Sequence, residues 1–98
     1  MKYDLTIEEM RSLPDAIYRV GVVEQNTSNI AGEHTVSIER VYVDSLGWAD
    51  DDVAGLLEES FNFLLSKEPP DSILPEFNLR DIKKYFPEYE EEIIKMKR

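Results

Sequence analysis

Residues 17–39, "IYRVGVVEQNTSNIAGEHTVSIE", alternate, break and alternate again. In residues 17–25 Tyr18, Val20 and Val22 point one way, and Ile17, Arg19, Gly21 and Val23 the other. Residues 26–33, "NTSNIAGE", are turn formers around one isoleucine and read as a loop. In residues 34–39 His34, Val36 and Ile38 share a side, opposite Thr35, Ser37 and Glu39. The simplest fold of this stretch is an antiparallel hairpin with one face on a core.

Helical patterns follow. Residues 40–46, "RVYVDSL", have a Val-Tyr-Val centre suited to a strand. Ile38, Tyr42 and Leu46 nevertheless recur every four residues, and Gly47 stands where a C-terminal cap belongs, which favours a short helix. From Asp51 the stripe Val53, Leu56, Leu57, Ser60, Phe61 and Leu64 is plainly helical, and Pro69-Pro70 ends it. Residues 71–74 form a turn or short helix before Pro75. Asn78 is a good N-cap for a helix over residues 79–86, and Pro87 opens a last helix running to about Lys97. In that helix glutamates crowd the start and Lys95 and Lys97 the end, the order the helix dipole favours. Towards the N-terminus, Thr6-Ile7-Glu8-Glu9 fits a capping box and implies a helical turn over residues 7–12, stopped by Pro14. An edge strand over residues 2–7 is the alternative.

The expected architecture is therefore α+β, in one domain over residues 1–98. A two-stranded antiparallel hairpin, with an N-terminal third strand as the open alternative, packs against a C-terminal helical half of two long helices and one short one. The 98 residues, 42% of them hydrophobic, suffice for one core and would leave two marginal.

The acidic balance bounds function more than any motif does. Residues 1–49 hold eight acids and four bases, and residues 50–98 hold thirteen and seven, for a formal charge of −10. Nucleic-acid backbones and anionic membranes would be repelled, whereas a basic protein partner is compatible with this charge. There is no cysteine, so disulfides, thiol catalysis and cysteine-ligated metals are excluded. No apolar leader and no membrane-length run is visible, so a cytoplasmic protein is expected.

"SFNFLLSKEPPDSILPEFNLRDIKKYFPEYEEEI", residues 60–93, resembles the C-terminal part of a group of small uncharacterised prokaryotic proteins. The likeness lies in the Ser-Phe-x-Phe-Leu-Leu helix, the Glu-Pro step, the Ser-Ile-Leu turn and the Tyr-Phe-Pro-Glu-Tyr ending. It implies no activity and no catalytic residue. Physically, Phe61, Phe63, Phe77, Tyr85 and Phe86 read as large core fillers.

Five features could carry chemistry or contacts. Asp50, Asp51 and Asp52 lead straight into a helix, so their side chains diverge and lack the alternating ligands of a calcium loop. Asp50 capping free amides is the simpler account, with a weak magnesium or manganese site between Asp44 and Asp50 as the rival. His34 beside Glu33 could act as a base, but no nucleophile accompanies it, and a strand-end position near water is expected. The glutamates at 88–92 fit a solvated helix face, with Glu91 pairing with Lys95. Arg80, Lys83 and Lys84 form a small basic stripe able to meet an acidic patch on a second copy. Trp48 either packs over a helix start or serves as a contact anchor.

These features identify no catalytic residue and call for no cofactor. They point to a non-catalytic interaction or regulatory module that binds a protein partner or forms a homodimer, with metal or small-ligand binding as the alternative.

Overall fold

The computed structural model describes residues 3–97 and is α+β, with one four-stranded mixed sheet. The strands are β1 (Tyr3–Arg11), β2 (Asp15–Glu24), β3 (Ile30–Glu39) and β4 (Glu76–Asn78), in the order β1-β2-β3-β4. The first three pair antiparallel, and β4 runs parallel to β3. The helices are α1 (Arg40–Ser45), α2 (Val53–Lys67), α3 (Ile82–Tyr85) and α4 (Tyr89–Lys95).

The hairpin stands, with both strands longer than the pattern implied. Tyr18, Val20 and Val22 of β2 and His34, Val36 and Ile38 of β3 are all buried. Residues 30–33, expected in the loop, already pair with β2, Val22 opposite Gly32 and Gly21 opposite Glu33. Pairing across a sheet overrides the turn-forming character of Ala31-Gly32.

The N-terminal helical turn is not formed. Its residues belong to β1, which sets Leu5 opposite Val22 and Ile7 opposite Val20. Tyr3, Leu5 and Ile7 pack partly buried at the edge of the core, a period-two pattern that outweighs the local capping-box signal. Strand β4 was not expected. Three residues carry no periodicity to read, and their partner lies some forty positions away.

The core lies on one face of the sheet, where α1 and α2 contribute Tyr42, Val43 and the buried stripe of α2. The stripe of α2 is buried at every expected position, Val53, Leu56, Leu57, Ser60, Phe61 and Leu64. The other face carries Thr6, Glu8, Arg19, Gly21 and Glu33 beside one another in register. Only α2 is long, however. The chain enters α3 by a tight 3-10 turn and leaves it after one turn, and α4 has seven residues, Tyr89–Lys95, rather than running from Pro87 to Lys97. Asn78 caps as expected, accepting the Arg80 amide at 3.1 Å while Asp81 accepts the Asn78 amide at 3.3 Å.

The short helix over residues 40–46 is present as α1 and ends in a Schellman turn. Gly47 has φ +74°, its amide donates to Asp44 O at 3.0 Å, and the Trp48 amide donates to Val43 O at 3.3 Å. The turn sends Trp48 into the core beside Val43, where the indole Nε1–H donates to Ile93 O of α4 at 3.1 Å. Two further polar contacts bind α4 to the rest. Ser60 Oγ donates to Leu56 O, so the Tyr89 hydroxyl 2.7 Å away is the donor to Ser60. Tyr42 Oη donates to Glu90 Oε2 at 2.7 Å.

Two predictions follow from this packing. Gly47→Ala places a Cβ on left-handed backbone and lowers stability by about 1–2 kcal/mol, whereas Gly47→Asn loses less. Urea unfolding of the two variants checks the order. The second concerns alkali. Burial, then donation to Glu9, pushes the Tyr18 hydroxyl up to about 12, and burial also raises Tyr42 and Tyr89. The native state thus holds protons that the unfolded chain releases near pH 10. Stability is complete below that pH and falls as pH rises through 12. Tyr18→Phe makes the fall shallower in denaturant melts between pH 9 and 12.

Candidate functional site

The triple aspartate is architectural, but not by the capping expected of Asp50. Asp50–Asp52 form a 3-10 turn whose N-cap is Ala49, and no side chain caps it. Asp50 Oδ2 instead lies 3.2 Å from Arg40 Nε, a half-exposed ion pair of about 1 kcal/mol at most. Asp52 occupies the N-cap of α2 without a side-chain bond, its carboxylate over Gly55, where a Cβ would collide with it. Asp44 is exposed on α1. Among the described residues no three acid or histidine side chains gather as a metal-holding group.

His34 is not at a wet strand end. It is 4% exposed, and Glu33 projects from the opposite face of β3, so the two form no acid–base pair. The ring Nδ1 lies 2.8 Å from Leu74 O, and only a protonated nitrogen can bond to a carbonyl, which places the proton on Nδ1. Nε2 has no partner and faces Gly32, whose missing Cβ leaves room for the ring. Phe61 packs against the other side, 5.5 Å between centroids. The histidine thus ties the segment around Leu74 to the sheet, helped by the Thr35 amide, which donates to Pro75 O at 2.8 Å.

The basic stripe is neutralised within the chain. Arg80 Nη1 lies 3.4 Å from Glu39 Oε1, Lys83 Nζ lies 3.4 Å from Glu90 Oε2, and Lys84 Nζ lies 3.1 Å from Asp81 Oδ1. These exposed pairs are worth about 1 kcal/mol at most each. Glu91 and Lys95 pair at 3.7 Å as expected. Trp48 is 4% exposed and hydrogen-bonded inside, so it is core and not a contact anchor.

What the structure brings together instead is a groove of about 160 Å³ between the C-terminal end of α2, the segment leading to β4, and α3. Buried Leu64, Ile73, Phe77 and Ile82 supply its apolar lining, and exposed Leu74 and Tyr85 stand at its edges. Its polar atoms come from Glu68, Ser72 and Asp81. Lys84 beside Asp81 holds that carboxyl below the usual carboxylate range, so it is ionised at neutral pH.

Tyr85 was expected in the core and is 66% exposed, and Leu74 is 48% exposed. The reason is local. Helix α3 stops at Tyr85, and the extended turn at Phe86 brings Phe86 in against Phe63, 5.9 Å between centroids, leaving Tyr85 outside. A run of two aromatics before Pro87 is the one sequence signal that they face different ways. Compared with protein families, with curated proteins and with solved structures, the chain matches none.

Loss of the His34 tether reads directly on stability. His34→Ala loses the bond to Leu74 and leaves a cavity beside Phe61, lowering unfolding free energy by about 2–4 kcal/mol. His34→Phe refills most of the space and lowers it by about 1–2 kcal/mol. Guanidinium melts of both variants check the difference.

Proposed function

We propose that the chain is a non-catalytic protein-interaction module, acting in the cytoplasm, and that the groove beside Tyr85 is its docking surface. The observation that carries this reading is an open apolar depression with two exposed large side chains, Leu74 and Tyr85, at its edges. Its size argues for a protein side chain over a cofactor. Pockets for cofactors and drug-sized ligands run to about 300–1,000 Å³, whereas an apolar space of about 150 Å³ takes one ring.

The groove's chemistry supports the same choice. Glu68, Ser72 and Asp81 include no nitrogen base to activate the serine, and His34 lies behind Leu74 with its bonded nitrogen committed to that residue's carbonyl. Every lining residue also falls within residues 60–93.

Site-specific photo-crosslinking tests this reading. With p-benzoylphenylalanine at position 85, cell extract should yield one discrete protein adduct, competed by excess unlabelled chain and reduced about tenfold by Leu74→Asp. The same probe at position 41, 80% exposed on α1, should yield none. No adduct at position 85, or the same products from both positions, would overturn the proposal.

A further inference from the structure

Resting on that docking reading, we infer that the groove receives a positively charged segment of a protein partner, which seats one leucine- or phenylalanine-sized side chain. The argument is charge complementarity around an apolar socket. Glu68 is the C-cap of α2, where the helix dipole already presents its negative end. An acid at that position adds to the negative potential instead of offsetting it. The lysine that could compensate, Lys67, is engaged elsewhere, its Nζ 3.3 Å from Glu88 Oε2. Glu68 itself, partly buried at the groove, forms no ion pair with a described residue.

The wall leading to β4 reinforces this. From Glu68 to Leu79 the chain carries Glu68, Asp71 and Glu76 and no base, and of these Glu68 lines the groove. Asp81 stands in the lining with its charge only half answered, because Lys84, its partner at 3.1 Å, is well exposed and screened by water. A cationic segment laid along this wall would place a lysine or arginine against Glu68 while one apolar side chain enters between Leu74 and Tyr85. The formal charge of −10 would also speed its approach.

A second copy of the chain fits the groove poorly. It would bring further acid to an acidic rim. Nucleic acid and anionic lipid fail on the sign of the charge.

The test is an amide-shift titration of isotopically labelled protein with three short capped peptides. One carries a single leucine among lysines, serines and glycines. In the second the leucine is serine, and in the third the lysines are glutamates. Saturable shifts are expected at Leu64, Glu68, Leu74, Ile82 and Tyr85 with the first peptide. Binding should be about tenfold weaker with the second, because the buried leucine is lost. None is expected with the third. Glu68→Gln should weaken the first peptide about two- to fivefold.

If the glutamate peptide shifts the same amides as strongly, the charge inference is overturned while the docking reading stands. If the lysine peptide shifts only the open sheet face, or binds equally well without its leucine, attraction to an acidic surface suffices and the inference fails. If it shifts no groove amide, the inference again fails, and the crosslink at position 85 decides separately whether the groove docks anything. Sedimentation showing self-association that Tyr85→Glu abolishes would make a second copy the occupant and overturn it as well.

Discussion

Helix α1 cannot be followed by α2 in this fold without the left-handed residue between them. Gly47 reverses the chain in a single step, and the two amide bonds of the turn fix where Trp48 must go. The indole then lies under α4 and bonds to its backbone. One backbone conformation at one residue thus sets the distance between the first helix and the last. Tyr42 reaching Glu90 and Tyr89 reaching Ser60 close the same junction from either side. The hydroxyl groups matter as directions more than as energies, since each net bond is worth about 1 kcal/mol. They fix which way α4 is rotated about its axis.

The sheet is built to be covered once. Its inner face is mostly apolar from β1 to β4, while its outer face sets Glu8 opposite Arg19 and Gly21 between Thr6 and Glu33. At Gly21 a Cβ would meet the Thr6 hydroxyl, so the glycine admits the threonine side chain across the strands. The short β4 then does what a longer strand could not. It holds the segment from Ser72 to Phe77 against β3 over only three residues, leaving the rest of that segment free to curve and form a wall.

The parts of this fold legible in the sequence are those governed by near neighbours. The two hairpin faces, the stripe of α2, the Asn78 cap and the Gly47 turn each follow from residues within one or two turns of one another. The parts that were not legible depend on distant partners. Thr6 to Glu9 satisfies the local requirements for a helix start, and only the presence of β2 makes a strand the better outcome. The burial of His34 was half visible, since it alternates with Val36 and Ile38. What was hidden was the Leu74 carbonyl, forty residues on, that satisfies its ring. The groove is the extreme case. It is an interval between elements, and no single residue announces it. Its edge residues Leu74 and Tyr85 look like any other apolar side chains until the helix is seen to stop.

The bond between Trp48 and α4 also says something about time. The two partners are 45 residues apart, and α4 supplies Tyr89 and Ile93, two of the most deeply buried side chains. A ribosome adding about 5–20 residues per second needs roughly 2–9 seconds to make the intervening chain. Throughout that interval Trp48 lacks the backbone carbonyl that its indole bonds in the folded chain.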